Sequence, residues 1–224
     1  MAVGNAARAL LVDDHPLVMD ALANVLISGR IFASVVKLFS LEEALQFLAV
    51  DTDFALIIAD LRMADTEGIE SVTTLRESFP DLPVVVFSGD DRTETITEAF
   101  EAGIRGYITK DSPPEELLNA MKLIMSGGYY LPRHAINILG FESLSQPIGQ
   151  APDEGSDGVL DGLTGRQRDV FNLLLLGYPN KLIGLRLEMA EGTVKTHLNA
   201  VYRVLGVNNR AQAMLLAYQM GLLA

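Results

Sequence analysis

Short apolar runs alternate with amphipathic stretches through the first half of this chain, and no other feature limits its fold so tightly. Ala9 to Val12, Ser34 to Phe39, Ala55 to Ile58, Leu82 to Phe87 and Arg105 to Thr109 each read as a strand, and a helical pattern follows each one. Apolar runs bounded by polar residues suit strands buried on both faces, as in a parallel sheet covered by helices. Five such units predict an α/β, doubly wound, five-stranded parallel sheet. The first helix opens at Pro16, where proline suits a first turn. The second follows Ser40-Leu41-Glu42-Glu43, a capping-box signature. The third is expected from about Thr66 to Ser78. The fourth runs from about Glu94 to Ala102, with Gly103 placed to end it. The fifth runs from Pro113 to about Ser126.

The carboxyl ends of these strands carry Asp13, Asp14, Asp60, Ser88 and Lys110. Ligands of open α/β sheets bind outside that edge. Three carboxylates, in a chain without cysteine, call for a hard divalent cation. Magnesium suits them, because it takes oxygen ligands and keeps several waters. The set makes sense as a phosphoryl-transfer site: Asp60 is the nucleophile, Asp13 and Asp14 hold the metal, and Ser88 and Lys110 take the equatorial charge. Read singly, Asp13-Asp14 is as easily a helix cap, Ser88 a turn residue and Lys110 a solvated lysine. Their joint occurrence at successive strand ends is what favours chemistry.

From Glu142 to Leu160 the alternation stops and Ser, Gln, Pro, Gly and Asp dominate, which reads as a linker. A short helix is expected before it, from His134 to Phe141. The domains are therefore expected at residues 1–127 and 160–224, with a linker over 128–159. Net charge is −12 overall, but −15 up to Val159 and +3 beyond it. Four short helices are expected in the basic part, a small all-α domain of helix-turn-helix proportions. The first carries Thr164 and Gln167 at capping-box spacing. The others span Asn180 to Leu187, Glu191 to Leu205, and about Asn209 to Met220. In the third, Val194, Leu198, Val201 and Leu205 share one arc, and Gly192, Lys195, Thr196, Asn199 and Arg203 lie opposite. A packed apolar side with a basic, hydrogen-bonding side outward suits the major groove; a merely solvated face is the plainer alternative. No apolar run approaches the roughly 18 residues of a membrane span, and the N-terminus lacks a signal-peptide pattern, so a cytoplasmic location is expected.

LLVDDHP, LIIADLRM, VVVFSG and GYITKDSP resemble the four signature segments of two-component receiver domains, over residues 8–126. Residues 163–222, with GTVKTHL as the most specific segment, resemble the LuxR-type helix-turn-helix. Together they resemble the NarL/FixJ family of response regulators. The resemblance implies a flavodoxin-like receiver whose Asp60 accepts a phosphoryl group from a sensor histidine kinase. It implies Mg2+ held by Asp13, Asp14, Asp60 and the backbone carbonyl of Arg62. Ser88 matches the switch hydroxyl, Tyr107 the switch aromatic that turns in as Ser88 moves, and Lys110 the invariant lysine. Arg62 and Asp90 are expected to pair over the site and slow attacking water.

In the second domain the resemblance puts Lys195, Thr196 and Asn199 against bases of double-stranded DNA. Thr193 belongs to the same segment, and Lys181 and Arg203 are candidates for phosphate contacts. His197 is expected to be structural. The last helix serves homodimerisation in this family, which nominates Met214, Leu215 and Tyr218, with ordinary core packing the equal alternative for each. Departures are Ala64 for a usual proline, Gln167 for glutamate, Ala190 for serine and Val204 for lysine. The implied function is phosphorylation-controlled, sequence-specific DNA binding and transcription, without enzyme activity. An acid-nucleophile phosphatase would carry a second aspartate where Arg62 stands. The alternative is a phosphorylation-independent DNA-binding or protein-interaction regulator. A closed, inhibited form is expected if the acidic receiver folds against the groove-reading helix.

Overall fold

The computed structural model describes residues 7–66, 68–132, 135, 160 and 162–222. Its first half alternates as β1 (Arg8–Val12), α1 (Pro16–Ser28), β2 (Ser34–Leu38), α2 (Leu41–Leu48), β3 (Leu56–Ala59), α3 (Glu70–Ser78), β4 (Val84–Ser88), α4 (Thr93–Glu101), β5 (Gly106–Thr109) and α5 (Pro114–Met125). The strands pair in parallel in the order β2-β1-β3-β4-β5. Alternate strand residues feed two cores. Leu10, Val12, Ile57, Ala59, Val84, Val86 and Tyr107 face α2, α3 and α4. Ala9, Leu11, Leu56, Ile58, Val85, Phe87 and Ile108 face α1 and α5. That two-residue period is the reason the central runs of β1, β3 and β4 are apolar, while the edge strand β2 keeps Ser34 and Lys37 exposed.

Local chemistry sets the helix boundaries. The Ser40 side chain accepts from the Glu43 N–H at 3.1 Å, while Glu43 reaches one residue further back, to the Phe39 N–H. Helix α4 ends with Gly103 at φ +90°, the left-handed conformation that glycine adopts without a Cβ penalty. Helix α3 starts at Glu70, not near Thr66 as expected. Met63 bridges to Thr66 and Gly68 turns at φ +59°, so the chain doubles back before the helix starts.

The second half contains α6 (Gly165–Leu175), α7 (Asn180–Leu187), α8 (Glu191–Leu205) and α9 (Arg210–Gln219). Helix α6 opens on a complete capping box, with Thr164 accepting from the Gln167 N–H and the Gln167 side chain from the Thr164 N–H. Helix α8 opens on Ala190, whose side chain makes no cap bond. Between α7 and α8 a Cβ on Gly184 would lie 2.6 Å from the Met189 carbonyl oxygen, so only glycine lets that turn close. Of the linker expected over 128–159, residues 128–132 and 135 are described: Tyr130 bridges to Gly106 of β5, and Tyr129 and Leu131 are buried; the rest of it, and His134 to Phe141 apart from Ala135, lie outside the described residues.

The helices are not separate from the sheet. The core on the α3/α4 side continues through Phe100, Ile104 and Tyr129 into Phe171, Leu174, Tyr178 and Met214. Helix α9 packs against α4, and polar bonds cross the same boundary. Tyr178 donates to Asp81 (2.8 Å), Tyr129 to the Leu175 carbonyl (3.2 Å) and Arg76 to the Gly177 carbonyl (2.5 Å).

Candidate functional site

Strand register brings the carboxyl-end residues together. Val12 pairs with Ala59, so Asp13 and Asp60 emerge side by side. Ser88 pairs with Thr109, and the Lys110 N–H donates to the Ser88 carbonyl at 2.9 Å. The Lys110 ammonium lies 2.7 Å from both Asp13 Oδ2 and Asp60 Oδ2. Burial opposes its charge, but the bonds to Asp13 and Asp60 outweigh burial and hold its pKa above the usual lysine value. Both aspartates are buried, and Asp60 Oδ1 accepts from the Leu61 N–H at 2.7 Å. Asp14 is less buried and accepts from the Ala64 N–H at 2.8 Å, which ties the loop after β3 to the pocket.

His15 joins this cluster, and sequence reasoning assigned it no role. Its Nδ1 is 2.9 Å from Asp13 Oδ1 and 2.7 Å from Asp14 Oδ1. Ligand atoms of Asp13, His15 and Asp60 lie within 4.8 Å of one another. Its place directly after the Asp pair was the available signal. The donor set fits a hard divalent cation: two buried carboxylates with one lysine leave excess negative charge, and oxygen predominates.

Ser88 is fully buried, and its Oγ accepts from the Asp90 N–H at 3.3 Å. Tyr107 was expected to turn inward only on activation. Here it already lies inward, fully buried, its hydroxyl donating to the Asp90 carbonyl at 2.5 Å. Burial pushes its phenol pKa above the usual value. Asp90 is the hub of this corner. Arg62 Nη2 bonds its carboxylate at 3.0 Å, the pairing expected from sequence. Arg92, not anticipated, bonds it through both Nε and Nη2. Arg92, with Arg62 adding to it, holds the Asp90 carboxyl well below the usual range despite its burial.

The candidate DNA-contact residues Thr193, Lys195, Thr196, Asn199 and Arg203 are all exposed along α8, and Val194, Leu198 and Val201 are buried behind them. Lys195 pairs with Glu191 one turn away, an exposed contact that water and salt weaken. His197 is half-buried. Lys181 differs from the rest: its ammonium lies 2.7 Å from Glu77 of α3, across the domain boundary. The structure bears on two further expectations. The sheet domain does not lie on the groove-reading face of α8; it contacts the turn after α6, the start of α7, and α9. Met214 is fully buried, so in this arrangement it offers no surface to a second copy, whereas Leu215 and Tyr218 are partly exposed. The amphipathic pattern of α9 gave no sign that α4 would cover it.

Residues 9–122 match the family model described as response regulator receiver domain, and residues 161–217 the one described as bacterial regulatory proteins, luxR family. The glycerol metabolism activator of Pseudomonas putida is 35% identical over 213 residues, covering 94% of each chain. The nitrate/nitrite response regulator protein NarL of Escherichia coli is 30% identical over 213 residues, covering 95% of each. A solved two-component response regulator of the LuxR family from an Aurantimonas species shares 27% identity at a TM-score of 0.56. That match covers 62% of this chain and 99% of the other.

Proposed function

Since the chain belongs to the LuxR-type response regulators, DNA-binding transcriptional regulators of two-component systems, we propose that phosphoryl transfer from a sensor histidine kinase to Asp60 controls its binding to double-stranded DNA. The observation that carries this reading is the Lys110 ammonium, 2.7 Å from both Asp13 and Asp60. Asp60 attacks the phosphorus, and the bond from phosphorus to the donor nitrogen breaks. Lys110 and the Ser88 hydroxyl take up charge on the equatorial oxygens. Asp13, Asp14, Asp60 and the Arg62 carbonyl are the residues that would hold Mg2+. The ion would neutralise charge on the phosphoryl oxygens and orient the group for in-line transfer.

A phosphoryl group adds about −1.5 to −2 charge and three strong acceptors. Placed on Asp60, it competes for Lys110 and Ser88, and Ser88 is bonded to the Asp90 backbone that also anchors Tyr107. The change therefore reaches α4, which begins three residues after Asp90 and holds α9 on its far side. Release of α9 and Lys181 frees the surfaces that pairing and phosphate contact need. With a charge of only +3 on residues 160–224, one copy binds DNA weakly, and two copies on adjacent half-sites raise affinity.

Radiolabel transfer from acetyl phosphate to wild type and to Asp60→Asn, followed by gel-shift, tests the reading. Label should enter the wild type in a Mg2+-dependent way, should be absent from the variant, and should strengthen DNA retention only in the wild type. Equal labelling of the variant, or equal DNA retention with and without the donor, overturns it.

A further inference from the structure

The junction between the two domains forms a partly open cleft of about 200 Å³, walled by Arg76, Asp81, Gly103 and Arg105 on one side and by Leu176 and Tyr178 on the other. Three guanidiniums gather at this junction. Arg76, 2% exposed, donates only to the backbone carbonyls of Pro80, Leu82 and Gly177, and its Nε has no partner. Arg210 is fully buried; its Nη2 donates to the Leu174 and Tyr178 carbonyls, and its Nε and Nη1 have no partner. Arg105 donates to the Gly127 carbonyl and stacks 4.8 Å over the Tyr129 ring.

Among the described residues none of these guanidiniums is ion-paired. Asp81, the only carboxylate in the cleft wall, accepts from the Tyr178 hydroxyl, and Glu101 accepts from the Arg210 backbone N–H. Burial, with Arg210 and Arg105 close by, pushes the Arg76 guanidinium down to about 10. It is still a cation at neutral pH. Buried cations are ordinarily met by anions, because a lone charge out of water is costly. Two of these cations, Arg76 and Arg210, are buried, the half-buried Arg105 lies beside them, and the nearest carboxylates, Asp81 and Glu101, are bonded to a tyrosine hydroxyl and a backbone N–H and to none of the guanidiniums.

We propose that this cleft is a binding site for a small oxyanion, a phosphate or a short dicarboxylate, held by Arg76 and Arg105 at the domain junction. The planar guanidinium fork matches either group. At this volume the site is smaller than the roughly 300 Å³ at which drug-sized ligand pockets begin, which favours a small anion. Because both domains supply walls, the anion binds the closed arrangement and stabilises it by mass action. The level of free anion thereby becomes a second input to the same regulator, separate from Asp60.

The test titrates inorganic phosphate, and in a second arm malonate, into the full chain by calorimetry. EDTA is present to keep metal from the acidic pocket, and chloride balances ionic strength. At least one of the two anions should bind saturably, and the arm that responds identifies the ligand class. Arg105→Gln should weaken that binding about tenfold or more, and Arg105→Lys should keep part of it while controlling for folding. Absence of saturable binding in both arms overturns the proposal. So does binding that survives Arg105→Gln but is lost in Lys110→Gln, which would place the anion in the acidic pocket.

Discussion

Replacing Gly103 by alanine separates the energy that holds the domains together from the energy that folds them. A Cβ there would lie 2.5 Å from the Gly177 carbonyl oxygen, whereas ordinary contact begins at 3.4 Å. The shortfall of roughly 0.9 Å is against backbone, which cannot rotate away. Overpacking of this kind costs about 1–3 kcal/mol. The φ of +90° adds roughly 1–2 kcal/mol of left-handed strain for a residue with a Cβ. The strain is present whether the domains touch or not, so it lowers only folding stability. The overlap exists only when they touch. Taking its middle value, about 2 kcal/mol, the closed arrangement loses about 30-fold against the open one. The chain has no cysteine, so dyes placed through Val50→Cys and Leu185→Cys, both highly exposed positions, report domain separation cleanly. Energy transfer should fall in unphosphorylated Gly103→Ala, and DNA retention should rise without a phosphoryl donor. Gly206→Ala is the control, since it carries a φ of +70° with nothing within 4 Å; it should cost stability and leave transfer unchanged. If Gly103→Ala unfolds earlier yet keeps wild-type transfer, the Gly103–Gly177 approach does not hold the domains.

Arg62→Ala removes one of the two arginines on Asp90 and uncovers the pocket mouth. Loss of label from phosphorylated Asp60 should quicken several-fold, and an unaltered decay rate would contradict the shielding role. Asp90→Asn should lower stability by about 1–3 kcal/mol at neutral pH, the range for hydrogen bonds to a charged group. Because the folded carboxyl lies below the unfolded value of about 3.9, that contribution is present above pH ~4 and disappears as the pH falls through the depressed folded value. Urea unfolding of both proteins should therefore differ by a constant amount from pH 5 to 8 and converge in acid. A gap that widens in acid refutes the sign. Ala190→Ser supplies the missing cap of α8 and should raise stability by about 1 kcal/mol, read as a higher midpoint in thermal unfolding; an unmoved midpoint means the first turn is already satisfied.

The sheet was legible because the inner strands β1, β3 and β4, with β5, are buried on both faces, so period and burial coincide in plain apolar runs; the edge strand β2 is largely exposed. The acidic pocket was legible for the same reason, since strand ends in a parallel sheet share one edge. The start of α3 was not, because the Met63–Thr66 bridge and the left-handed turn at Gly68 that delay it follow no periodicity. His15 and Arg92 escaped because their partners, Asp13, Asp14 and Asp90, lie in turns whose geometry no periodicity encodes. The junction was least visible. Arg76 and Arg210 sit on helices, where an arginine reads as surface, yet both are buried at the boundary between the domains. Met214 went the same way: helical spacing identifies an apolar face, not what covers it.

The outward face of α8 has a kinetic consequence. On the proposed function, a molecule whose α8 face stands exposed while α9 is covered is not barred from touching DNA. It can settle on arbitrary sequence through a few cations, slide, and depart quickly. On that proposal, phosphorylation of Asp60 then finds much of the population already scanning, and what it changes is how long two copies stay at a matching site.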